Sequence, residues 1–130
     1  MAGELLAAYE AMHADLDRVP FEWRTRGLLA DLCEDMGRPG EAALHRWLRQ
    51  NRKHPDGFGI VHRSHPWMWW RHPPVCHMVP VALHDLMPRW AHPTRRAAEW
   101  SLLVAMVAAG WCALGENDAP AGGEEGEGNE

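Results

Sequence analysis

The sequence predicts a mainly α fold: a compact bundle of about four helices plus a short fifth, with an irregular Trp/Pro/His-rich insertion and a disordered acidic tail. Three observations carry this. Apolar residues recur at helical spacing in separate stretches, proline and glycine mark the ends of those stretches, and residues 115–130 hold six acids with no base and no large apolar side chain. A chain of 130 residues, 46% hydrophobic, has the size of one domain and enough apolar material for one core. Residues 1–114 are therefore read as a single helical domain.

The first helix follows from "GELLAAYEAMHADLDRV", where Leu5, Leu6, Tyr9, Met12 and Leu16 form one stripe; Pro20 holds Val19 extended and closes it. A helical hairpin covers about residues 21–54. Its first arm carries Trp23, Leu28, Leu29, Leu32, Cys33 and Met36, and Gly37 is the natural left-handed stop. Pro39 suits the first turn of the second arm, Glu41 favours its positive end, and Leu44, Trp47 and Leu48 continue the stripe. A turn of about three residues makes the arms antiparallel.

Helical periodicity fails over the insertion 55–79, where prolines stand at 55, 66, 73 and 74 and "DGFG" precedes the β-favouring "IVH". An irregular segment with at most a short hairpin fits, anchored by Trp67, Trp69 and Trp70. Pro80 opens the short fifth helix, which brings Val81, Leu83, Leu86 and Met87 to the core before Pro88. Thr94 caps a core helix over about 95–113, with Trp100, Leu103, Val104, Val107, Trp111 and Leu114 on one face. The uncharged run from 100 to 114 is shorter than the ~20 residues of a membrane-spanning helix, so a buried helix is preferred to a membrane anchor. The tail 115–130 cannot offset its ordering entropy.

Charge is unevenly spread. The net value is −5, but residues 1–43 carry nine acids against four bases while 44–96 carry nine bases against two acids. The middle of the chain is thus the place for an anionic partner, or for the chain's own acidic parts. Three widely spaced cysteines and an N-terminus without a secretory pattern point to reduced thiols in the cytoplasm.

"RGLLADLCEDMGRPGEAALHR", residues 26–46, resembles the central motif of the bacterial repeat-companion domain family. Arg26, Ala30, Asp31, Glu34, Asp35, Gly37, Ala42, Leu44 and Arg46 match its pattern, while Leu32 and Cys33 replace the usual Trp-Leu pair. The resemblance covers about residues 4–54, and "WMWW", "VPVALHDLMP" and "HPTRRAAEW" look like the C-terminal extension of some relatives. It implies a helical domain of unknown biochemical role, often attached to repeat or signalling modules, with no recognised catalytic residues. From the residues themselves a structural tie is expected, with Asp31 accepting hydrogen bonds from Arg26 or Arg46 across the hairpin.

Candidate chemistry is sparse. His62, His65, His72, Cys76 and His77 could supply zinc ligands, but there is no CxxC knuckle, two of the histidines precede proline, and coding bias toward GC accounts for part of their number. His84-Asp85 lacks the further ligands of a metal-dependent phosphohydrolase. The side chains of Cys76 and His77 diverge as neighbours, without an orienting third group. No catalytic residue and no cofactor are assigned, and no metal site is expected.

Eight tryptophans exceed what a small bundle hides, and rings left exposed beside arginine are typical of protein contact surfaces. The expected interaction surface is Trp67, Trp69, Trp70 and Arg71 on the insertion together with Arg46, Arg49 and Lys53 on the third helix. The reading is a non-catalytic interaction or adaptor module for another protein, without membrane association and with its oligomeric state open. A nucleic-acid-binding module on the same residues is the rival, although the body 1–114, with thirteen bases and twelve acids, is nearly neutral. A zinc-binding protein or metal-dependent enzyme is the third.

Overall fold

A computed structural model describes residues 2–19, 22–50, 58–59, 79–80, 83, 86 and 94–120. Four helices organise them: α1 (Ala2–Arg18), α2 (Trp23–Asp35), α3 (Pro39–Gln50) and α4 (Arg95–Ala108). The mainly helical expectation is met. Two short strands, β1 (Phe58–Gly59) and β2 (Val79–Pro80), pair antiparallel with Phe58 opposite Pro80, which brings the two ends of the insertion together.

Local chemistry explains the element ends. Gly37 adopts φ +75°, the Gly37 amide donates to the Glu34 carbonyl and the Arg38 amide to the Cys33 carbonyl, so the last carbonyls of α2 are satisfied as the chain reverses. Only three residues separate α2 from α3, and the hairpin is tight. Thr94 caps α4 as expected, its hydroxyl accepting from the Ala97 amide at 3.1 Å.

Helix α4 is shorter than the 95–113 expected, and its buried face is different. Gly110 takes φ +81°, with bonds from Gly110 to Val107 and from Trp111 to Met106 that repeat the α2 ending. Trp111 and Leu114 therefore lie beyond the helix and are each 44% exposed. The buried face is Ala98, Leu102, Leu103, Ala105 and Met106, with Trp100 and Val107 at its margin. Leu6, Leu28 and Leu86 likewise stay exposed although the stripes place them inward.

The core has two apolar clusters that meet on α3. Tyr9, Leu16, Leu29, Cys33 and Ala42 join α1, α2 and α3. Leu44, Leu48, Leu83, Leu102, Leu103, Ala105 and Met106 join α3 to α4. Leu83 is the one core contact of the expected fifth helix that can be placed; residues 81–82, 84–85 and 87–88 lie outside the described residues.

The boundary set for the acidic tail shifts. Residues 115–120 fold back on the α2–α3 turn, where the Asp118 carboxylate accepts from the Gly40 and Glu41 amides at 2.8 and 2.9 Å, and the Asn117 amide donates to the Met36 carbonyl. Pro39 has no N–H and Arg38 offers no capping oxygen, so an acid 78 residues away from Gly40 serves as the N-cap of α3. Residues 121–130 lie outside the described residues.

Candidate functional site

Three helices place polar pairs four residues apart on their buried faces: Tyr9 and His13 on α1, Glu41 and His45 on α3, Arg95 and Glu99 on α4. Arg26 joins them from α2, fully buried. Such positions take apolar residues unless the polar groups satisfy one another. Here they do so as a closed ring.

Arg26 Nη1 donates to His45 Nδ1 at 3.0 Å, and His45 Nε2 meets Glu41 Oε2 at 3.0 Å. The same oxygen meets His13 Nε2 at 2.7 Å, and His13 Nδ1 accepts from Arg95 Nη2 at 2.9 Å. Arg95 Nη1 then donates to Glu99 Oε1 at 2.9 Å, and Arg26 grips Glu99 through both of its oxygens at 2.8 and 2.7 Å. The ring reads Arg26, His45, Glu41, His13, Arg95, Glu99, and back to Arg26.

Guanidinium nitrogens only donate, so both Nδ1 atoms must accept. That fixes both imidazoles as neutral rings carrying the proton on Nε2, each donating to Glu41. Glu41 Oε1 accepts from the Tyr9 hydroxyl at 2.7 Å and from Arg38 Nη1 at 3.2 Å. The carboxylate thus accepts four hydrogen bonds, its full capacity.

Titration behaviour follows. Burial pushes His13 down to about 4, overcoming the upward pull of its bond to Glu41, and burial lowers His45 in the same way. Burial would raise Glu41, but the hydrogen bonds from His13 and His45 outweigh it and hold the carboxyl well below the usual range. Tyr9 is raised by burial and by Glu41, with Arg38 and Arg96 over its ring at 4.8 and 5.3 Å.

His13, Glu41 and His45 bring three ligand-type atoms within 4.8 Å of one another, which makes a cation site the obvious question. The donor set does not fit one. A metal on both Nε2 atoms would move their protons to Nδ1, where Arg26 and Arg95 already point N–H groups; metal-bound histidines instead donate their second nitrogen to a carboxylate or carbonyl. Nor can either histidine serve as a general base, since its one lone pair faces a guanidinium. The adjoining cavity, bounded by Tyr9, His13, Glu41, Trp100 and Ala119, measures about 20 Å³, room for one water and not for a substrate.

A second feature lies on the outer face of the hairpin. Arg24, Gly27, Leu28, Asp31, Arg46, Arg49 and Gln50 line an open groove of about 360 Å³. Arg46 bridges Asp31 at 3.1 Å and Glu34 at 2.6 Å, and Arg49 reaches the Trp23 carbonyl at 3.2 Å while packing on Gly27. Leu28 stands in this groove half exposed.

Comparison with protein-family models, with curated proteins and with solved structures finds no match to the chain.

Of the sequence-derived candidates, Arg46 and Arg49 share the groove. Asp31 pairs with Arg46 in the solvated outer layer, whereas Arg26, its other expected partner, turns inward to Glu99 and His45. Lys53, Trp67, Trp69, Trp70 and Arg71 lie outside the described residues, as do His62, His65, His72, Cys76, His77, His84 and Asp85. Sequence reading missed the ring. It assigns Glu41 to the helix end alone, but Glu41 is buried and faces the ring. The available signal was His13 within the stripe of Tyr9, Met12 and Leu16, and Glu41 and His45 on either side of Leu44.

Proposed function

We propose that this domain is a non-catalytic interaction module that presents the outer groove of the α2–α3 hairpin to an acidic segment of another protein. The carrying observation is the groove itself, in which Arg24, Arg46 and Arg49 surround an exposed leucine. Guanidinium groups suit carboxylates, and a lone apolar side chain beside them suits an anchor residue on the partner. The enclosed ring supports the non-catalytic reading, because its histidines and carboxylates are already spent on one another.

A protein is favoured over nucleic acid because Asp31 and Glu34 sit on Arg46, leaving too little net positive charge for a polyphosphate. The module works in the cytoplasm, where its odd, widely spaced thiols stay reduced. Kinship with the repeat-companion family belongs to the same proposal. Its matching residues have structural roles here that support it: Gly37 turns the hairpin, and Ala42 packs against α1 and α2.

Fluorescence anisotropy with the full chain tests the reading. Peptides carrying one leucine flanked by one or two acidic residues should bind, and an Arg46→Glu/Arg49→Glu variant should lose that binding while keeping its helical circular dichroism. Tighter binding of single-stranded DNA, steeply weakened by salt, would transfer the groove to the rival reading.

A further inference from the structure

We infer that the ring is a proton-operated clasp: acid places a second proton on His13 or His45 at Nδ1, the new N–H faces an arginine N–H, and α1 comes away from the other three helices. This goes beyond the groove reading and does not depend on it.

Geometry carries the inference. Nδ1 is the one unprotonated nitrogen of each imidazole, and it stands 2.9 Å from Arg95 Nη2 in His13 and 3.0 Å from Arg26 Nη1 in His45. Neither arginine can retreat without losing something else. Arg26 is held in both oxygens of Glu99, while Arg95 also binds Glu99, the His13 carbonyl and Asp17. Protonation therefore sets donor against donor in a place without slack.

Helix α1 is the element that gives way. Tyr9 and Leu16 are its buried apolar residues, whereas α3 packs on α2 through Leu29, Cys33 and Ala42 and on α4 through Leu44 and Leu48. Its attachment rests heavily on the polar ties of Tyr9 and His13 to Glu41, of Arg95 to His13 and Asp17, and of Arg96 to Tyr9 and Glu10.

The groups facing the two imidazoles come from every helix. His13 faces Tyr9 on α1, Glu41 and His45 on α3, and Arg95, Arg96 and Glu99 on α4; His45 faces His13 on α1, Arg26 on α2, Glu41 on α3 and Glu99 on α4. Glu41 attracts the added proton. Burial and the guanidinium groups oppose it, and the net direction for both histidines is downward.

The sign is then fixed. With α1 released, His13 leaves its buried site and titrates near the ordinary 6.5; docked, it resists until about 4. Docking is at full strength above 6.5 and is lost as pH falls toward 4, at about tenfold per pH unit through His13.

Hydrogen–deuterium exchange of the full chain, corrected for intrinsic exchange, tests this between pH 7.5 and 4.5. Amides of α1 should lose protection at least tenfold per unit below pH 6.5, ahead of the α2–α3 hairpin. His13→Gln cannot titrate and should flatten that slope. Wild-type imidazole ¹⁵N shifts provide a readout that needs no variant: at pH 7 both rings should be neutral with the proton on Nε2. Nδ1 protonation at pH 7, or α1 protection unchanged from pH 7.5 to 4.5, would overturn the clasp.

Discussion

Arg26 and Glu99, 73 residues apart in the chain, face each other through two hydrogen bonds of 2.8 and 2.7 Å with almost no exposure to solvent. Removing one partner takes away much of the compensation for the other's buried charge. Glu99→Gln should cost on the order of 3–5 kcal/mol in urea unfolding, because buried Arg26 and Arg95 each lose a carboxylate. In a cycle with Arg26→Met the two changes should couple by roughly 1–3 kcal/mol. Simple additivity would show that the pair contributes no interaction of its own.

The surface tie behaves differently. Arg46 is 42% exposed and Asp31 76%, so water competes for both. Asp31→Ala should change stability by under about 1 kcal/mol, whereas Leu103→Ala, in the α3–α4 core, should cost about 2–5 kcal/mol in the same assay.

Asp118 is required by α3 even though it lies beyond the last helix. Asp118→Ala leaves the Gly40 and Glu41 amides without their acceptor and should cost about 1 kcal/mol in thermal unfolding. Truncation after Leu114 should cost a similar amount. Gly40→Ala should act partly through the same contact, since a Cβ there would stand 2.8 Å from the Asp118 carboxylate and 2.9 Å from Leu114 Cδ2. Combined with Asp118→Ala it should lose the part of its effect that Asp118 carries and keep the part due to Leu114.

Among the described residues, the left-handed glycines Gly37 and Gly110 separate backbone strain from crowding. Around Gly110 none of the described residues lies within 4 Å of an added Cβ, so Gly110→Ala should cost the left-handed penalty, about 1–2 kcal/mol. At Gly37 the same Cβ would also press on the Asn117 amide at 2.7 Å. Gly37→Ala should therefore cost more, and circular dichroism melts of the two variants give the comparison directly.

The sequence by itself determined the helices, the Gly37 reversal, the Pro39 start and the Thr94 cap, because each depends on residues within one turn of one another. His13, Glu41 and His45 lie on the buried faces of those helices, yet read in sequence only Glu41 drew notice, and only as a helix-end charge. Tertiary structure decided what those polar groups do. Whether Arg26 takes Asp31 or Glu99 depends on where α4 arrives, and that is set by packing between Leu44, Leu48, Leu102 and Leu103 rather than by local spacing. Asp118 lies in an acidic stretch whose composition reads as tail, and it becomes a cap only because the chain beyond Gly110 returns to an α3 end that lacks one. Helical period tells which side of a helix a residue occupies; the identity of a buried polar partner is a property of how the helices meet.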